Sequence, residues 1–295
     1  MMSNMTKGQK IGEKEVVGYM KSLSNRGRWG NGDELGSINF ITPEKIKKAS
    51  GLVSEGRTIS CARPISTSTR PDMNKEAMRY MIDDGEGREN VAPDKIHKRR
   101  GALEFIGMVF HGGSITHIDA PSHYFWRGKM YNGRPADTVS SRGGAGASDA
   151  EVLKNGIFTR GILLDCSKST GAVSISDLQK AEKKSQIKVS TGDVLLVRGG
   201  KPLAVETAEW LYEREVAVIG SDTANDYKHD EFKNIDSPFH TVCLAAMGLW
   251  ILDNCDLEEL AKVCRKKKRW EFAVFISLLR LKHVTGSPVN PIAIF

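Results

Sequence analysis

The chain has 295 residues, of which 40% are apolar and 27% charged, with a net charge of +7. No apolar run reaches the ~18 residues of a membrane-spanning helix, and the N-terminal MMSNMTKGQKIGEKEVVGYM lacks a signal core and a cleavage site, so membrane insertion and secretion are not expected and a cytoplasmic location is. The five cysteines (Cys61, Cys166, Cys243, Cys255, Cys264) are scattered and include no CxxC, which argues against a disulfide framework or a cysteine zinc site.

Taken in order, the first 25 residues suggest a loose helix or arm. Thr42, Pro43 and Glu44 form a helix start with proline at the first position, and Gly51 closes that helix. RTISCAR (57–63) has strand character. Residues 64–100 are long, polar and charged, and suggest a flap or arm that covers a site or a partner subunit. ALEFIGMVF (102–110) reads as an apolar strand, followed directly by HGGSITHIDAPSH (111–123) and a glycine-rich loop to about 148. Beyond it, IFTRGILLDC (157–166) is a strand. Ser176 and Gln179 are spaced as a capping box for the next helix. DVLLVRG (193–199) and VAVIG (216–220) are strands around a helix at 203–215. A helix begins near Pro238, LWILD (249–253) is short and apolar, and DLEELAKVC is helical. WEFAVFISLLRL (270–281) reads as a long strand, and a GSP turn (286–288) precedes a last strand near 291–294. Strands alternating with helices in the second half predict an α/β fold with part of the sheet parallel, in one domain spanning 1–295.

Two basic clusters, KIHKRR (95–100) and RKKKRW (265–270), carry part of the charge. They are short and have no interleaved aromatics to stack bases, so they read as solvated surface, with no nucleic-acid partner.

Three of the seven histidines fall within 111–123, together with an aspartate. In an extended chain His117 and Asp119 point the same way. His111 and His123 share their parity, although Gly112, Gly113 and Pro121 interrupt a regular strand. Imidazole and carboxylate suit zinc, manganese or iron. Two histidines and a carboxylate leave coordination positions open, and a water held there loses its proton near pH ~7. A histidine just outside the ligand set can carry protons.

THIDAPSHYF resembles the signature of the metal-dependent cyclase family, which includes bacterial-type kynurenine formamidases and isatin hydrolases. Thr116, His117, Asp119, Pro121 and His123 match the pattern H-x-G-T-H-x-D-x-P-x-H in place. The pattern's first histidine falls on Gly113 and its glycine on Ile115, while His111 stands two residues early. RWGNGDELGSINFITPEKI, GKMYNG, GDVLLVRGG, VAVIGSDT, HTVCLAAMG and TGSPVNPIAIF also resemble family segments, in family order.

The resemblance implies a swivelling β/β/α fold, a mixed sheet flanked by helices, and a homodimer or homotetramer. It implies a divalent cation, Zn or Mn, held by His111, His117, Asp119 and Asp253, with His123 and His240 catalytic. His240 matches the family's later histidine. Asp253 falls where the family has glutamate, and its shorter arm favours one cation over two. The implied activity is hydrolysis of an amide, cyclic amide or lactone bond, with the arylformamidase of tryptophan catabolism as default. A lyase or true cyclase without net hydrolysis, and a non-catalytic basic binding protein, are the alternatives. Trp29, Phe125 and Trp126 are candidates to stack on an aromatic substrate. Asp222, after the VAVIG strand, is either a ligand-binding or a turn residue. His229 and His283 have no assigned partner.

Overall fold

A computed structural model describes residues 11–86, 101–226 and 232–295. Among these, nine strands form the main sheet: β1 (Thr58–Ser60), β2 (His117–Asp119), β3 (Ile157–Asp165), β4 (Val194–Arg198), β5 (Val218–Ser221), β6 (Trp250–Asp253), β7 (Glu271–Ile276), β8 (Gly286–Pro288) and β9 (Ile292–Ile294). Their order across the sheet is β1-β9-β7-β3-β4-β5-β6-β2-β8. β3, β4, β5 and β6 run parallel to one another. The other pairs are antiparallel, so the sheet is mixed, as the sequence predicts.

The parallel strands are apolar on both sides because both sides are covered. Ile162, Leu164, Leu195, Val197, Ile219 and Ile251 face one cluster, while Leu163, Val194, Leu196, Val218, Trp250 and Leu252 face the other. The first cluster is roofed by α1 (Glu13–Ser22), α3 (Ile175–Ser185), α4 (Thr207–Glu213) and α5 (Pro238–His240), which runs on as a π-helix over Thr241–Met247. The second is roofed by α6 (Glu258–Lys267). α2 (Pro43–Ser50), capped by Thr42 as expected, packs against β3 and β7. Each fully buried Leu, Ile or Val side chain contributes about 1.5–3 kcal/mol to this packing.

Several elements depart from the sequence reading. The cap of α3 is Ser174 with Asp177, two residues before the expected pair. β7 ends at Ile276, well short of 281, and α4 begins only at Thr207. The segment 286–288 is an edge strand, not a turn. It pairs with β2, Gly286 opposite Asp119 and Pro288 opposite His117. Glycine is required there, since a Cβ would lie 2.4 Å from the Ile118 carbonyl oxygen.

ALEFIGMVF does not enter the core. Leu103–Gly107 pairs with Ala77–Asp83, which pairs with Thr67–Ser68, giving a separate three-stranded sheet. Leu103, Phe105 and Ile106 are exposed on it, as are Tyr80, Met81 and Ile82. The expected arm at 64–100 is therefore partly built of strands, and 87–100, including the first basic cluster and His97, lies outside the described residues. The second basic cluster is tied down: Arg265 pairs with Asp165 at 3.2 Å, Lys267 with Glu55, and Arg269 donates to the Leu52 carbonyl. All five cysteines are free and buried. No helix among the described residues is long and apolar enough to cross a membrane.

Candidate metal centre

β2 lies between β6 and β8 near one edge of the sheet. Its register sets Asp253 directly opposite His117 and Ile251 opposite Asp119. Directly opposed residues share a face, so His117, Asp119 and Asp253 project together. That face is the one covered by α5, and α5 brings His240 down onto it. Asp253 ends β6, and Asn225 and Asp226 follow β5, so much of the cluster gathers at the carboxyl ends of the parallel strands.

Asp119 is the centre. His111 Nδ1 is 2.8 Å and His117 Nε2 3.5 Å from its Oδ1, with His123 Nε2 at 4.0 Å. On the other oxygen, Oδ2, His240 Nε2 stands at 3.3 Å, and that same nitrogen is 3.4 Å from Asp253 Oδ2. Asp119 is 1% exposed, and its two oxygens and His111 Nδ1 lie buried in close ion-pair contact without the alignment of a good hydrogen bond. Buried carboxylates left this way cost several kcal/mol unless a charge compensates them. The donor atoms fall into two groups that share Asp119: His111–His117–Asp119 and Asp119–His240–Asp253. Nitrogen and carboxylate oxygen, with no thiolate, fit a divalent cation such as zinc or manganese.

The surroundings aim the donors. His117 Nδ1 lies 2.8 Å from the Ile115 carbonyl. A carbonyl only accepts, so Nδ1 carries the proton and Nε2 faces Asp119. His111 Nε2 shares a 3.1 Å hydrogen bond with Thr285 Oγ1. The amide of Asn225 donates to Asp253 Oδ1 at 2.6 Å, leaving Oδ2 for His240. Asn254, at φ 58°, donates to the carbonyls of Gly112 and Ile115 and accepts from Thr116 Oγ1. It thereby fastens the glycine loop to the end of β6. Asparagine tolerates that left-handed backbone better than most residues.

Electrostatics follow from burial and crowding. Burial opposes the charge on Asp119, but His123, His117, His111 and His240 outweigh it and hold the carboxyl well below its usual range. Burial pushes His123 down to about 4 against the pull of Asp119, so it is neutral at pH 7. Burial also opposes the charge on His240, yet Asp253, Asp119 and Asp226 hold it well above the usual histidine range.

Thus the six metal and catalytic candidates, His111, His117, Asp119, His123, His240 and Asp253, meet in one place. Asp222 is a turn residue: its carboxylate accepts from the backbone N–H groups of Gly199 and Gly200. Trp29 packs against Phe40, and Trp126 packs on the first core cluster, while Phe125 is exposed. The aromatic rings at the site are instead Phe110, 4.4 Å from the His111 ring, and Tyr124, 5.1 Å from His240. Asn225, Asp226, Asn254 and Thr285 also serve the site, and nothing in their local spacing signals a contact made across the sheet. His283 Nδ1 lies 3.2 Å from the Ala145 carbonyl, and His229 falls outside the described residues.

The sequence profile of the Cyclase family matches residues 59–225, more than half of the chain. The chain belongs to the cyclase family. The match contains the 111–123 segment and stops before His240 and Asp253. A crystal structure of a novel cyclase is 28% identical, with a TM-score of 0.80, covering 93% of this chain and 100% of that one. The fold is shared more distantly with isatin hydrolase A from Labrenzia aggregata bound to benzyl benzoate (17% identity, TM-score 0.55, 83% of this chain and 94% of that one). It is also shared with a predicted metal-dependent hydrolase from Bacillus stearothermophilus (14% identity, TM-score 0.52, 81% and 98%). No curated protein matches the sequence.

Proposed function

We propose that this cyclase-family protein is a metal-dependent hydrolase of an amide, cyclic amide or lactone bond, of arylformamidase-like type. The observation that carries the reading is the buried Asp119 carboxylate, without a well-aligned hydrogen bond and ringed by four imidazoles and Asp253. Fold likeness to an isatin hydrolase and to a predicted metal-dependent hydrolase supports it.

His111, His117 and Asp119 would hold a divalent cation, zinc or manganese, and His240 and Asp253 would offer donors across the same carboxylate. Bound there, such a cation would supply Lewis acidity toward a carbonyl oxygen and would acidify water at neutral pH. His123 is the histidine outside both donor groups, and it is a quarter exposed, so it can meet substrate. Being neutral at pH 7, it accepts a proton from water as the water oxygen adds to the carbonyl carbon. It then returns that proton to the departing nitrogen or oxygen. Phe110 and Tyr124 flank the site and suit an aromatic substrate.

The protein is taken to act as a homodimer or homotetramer in the cytoplasm. The small sheet leaves Tyr80 and Phe105, stacked at 5.1 Å, exposed beside Leu103, an apolar face that suits contact with a second copy of the chain. Light scattering should give a mass of two or four chains.

The deciding experiment loads the purified protein with zinc or manganese and offers formanilides, cyclic imides and lactones in H₂¹⁸O. One solvent oxygen in the product supports hydrolysis. Turnover without it would support the lyase alternative, and no turnover with no bound ion would defeat both.

A further inference from the structure

In both donor groups the imidazoles have their second ring nitrogen engaged, and the partners differ in kind. His117 meets a peptide carbonyl and His111 a hydroxyl. His240 Nδ1 meets the carboxylate of Asp226. That carboxylate is itself fixed: Oδ1 accepts from the Phe239 N–H at 3.0 Å and Oδ2 from the His240 N–H at 3.1 Å. An ionised carboxylate only accepts, so the ring must present its proton on Nδ1. Nε2 is then left facing Asp119 Oδ2 and Asp253 Oδ2, at 3.3 and 3.4 Å.

We propose that Asp226 is a positioning residue that fixes His240 as a cation donor, turning Nε2 into the cleft between Asp119 and Asp253 and strengthening it as a ligand. This rests on the metal-dependent reading above. A carboxylate behind a ligating imidazole sets the tautomer and increases ligand basicity, and losing such a partner typically weakens metal binding about 10- to 100-fold. The effect travels only through the ring, so it should vanish when the ring is gone.

The probe is Zn²⁺ alone, its affinity measured by chelator competition on the full chain. Asp226→Asn keeps one acceptor oxygen, enough for one of the two backbone N–H groups, and removes the charge behind the ring; it should stay folded by circular dichroism while binding Zn²⁺ about 10- to 100-fold more weakly. In a His240→Ala background the same change should alter affinity less than about twofold, as expected for a contribution made through one shared partner. Independently, ¹⁵N-histidine NMR of the zinc-loaded wild type, with His240→Gln for assignment, should show Nδ1 protonated and Nε2 bound to the ion. This measurement decides the matter if Asp226→Asn does not fold. Wild-type affinity in a folded Asp226→Asn protein, an undiminished loss in the His240→Ala background, or a His240 proton on Nε2 would each overturn the role of Asp226. If the wild type itself binds no Zn²⁺, the hydrolase reading falls and takes this role with it. If the wild type binds and the variant binds equally, only Asp226 loses its role.

Discussion

The rings of His111 and His123 lie face to face, their centroids 3.8 Å apart and their planes within 7° of parallel. His111 belongs to a donor group around Asp119, and His123 stands beside it at 4.0 Å from the same oxygen. The stack thus places a neutral, partly exposed imidazole next to the cation position without making it a ligand. Substituting His123 by Gln keeps a polar side chain there but removes the proton carrier. Zinc affinity should change by no more than a few-fold, while kcat should fall about 10²- to 10⁴-fold, the usual contribution of general acid–base catalysis. Affinity by chelator competition and steady-state rates check this, and an undiminished kcat would remove His123 from the mechanism.

Asp119 is shared by both donor groups, so its loss cannot be covered by either. Asp119→Ala should abolish both zinc binding and turnover. The wild type should melt at a higher temperature with zinc, because an ion at 100 times its dissociation constant adds about 2.7 kcal/mol to stability. The variant should show no such increase. A zinc-dependent rise in its melting temperature would place the ion elsewhere.

His240 sits among three carboxylates, which outweigh its burial and hold its proton more firmly than on a free imidazole. A ligating imidazole must give up the proton on its donor nitrogen, so zinc binding should release one there. The sign follows: lower pH opposes binding, and affinity increases as pH rises from 6 toward 8. Calorimetry in two buffers of different ionisation enthalpy counts the protons. His240→Ala should lower the count by about one, and an unchanged count would mean that His240 does not bind the ion.

Gly286 is packed against both the ladder and the site. A Cβ added there would lie 2.4 Å from the Ile118 carbonyl oxygen and 2.8 Å from His111 Cε1. Gly286→Ala should therefore cost about 1–3 kcal/mol of stability by overpacking. It should also weaken zinc binding by displacing His111. Denaturant melts and chelator competition measure the two effects, and a variant with wild-type stability would show that β8 can shift away freely.

Much was legible in the sequence because it depends on local rules. Period-two alternation set His117 and Asp119 on one face, and long apolar runs marked the parallel strands that are buried on both sides. The resemblance to the cyclase signature then pointed to His240 and Asp253. The structure departs from the sequence pattern where tertiary contacts override local preference. GSP has the composition of a turn, yet it is a strand because β2 offers it an open edge. ALEFIGMVF is apolar, yet its strand is exposed because it pairs in the outlying sheet.

The sequence by itself determined which residues could bind a cation, since donor chemistry belongs to the side chain. Only the tertiary structure decided which way each donor points. His117 is aimed by the Ile115 carbonyl, His111 by Thr285, Asp253 by Asn225 and His240 by Asp226. Apart from Ile115, those partners come from other loops and strands. Hydrogen-bond direction depends on positions in space, and the spacing of letters along a chain does not encode it.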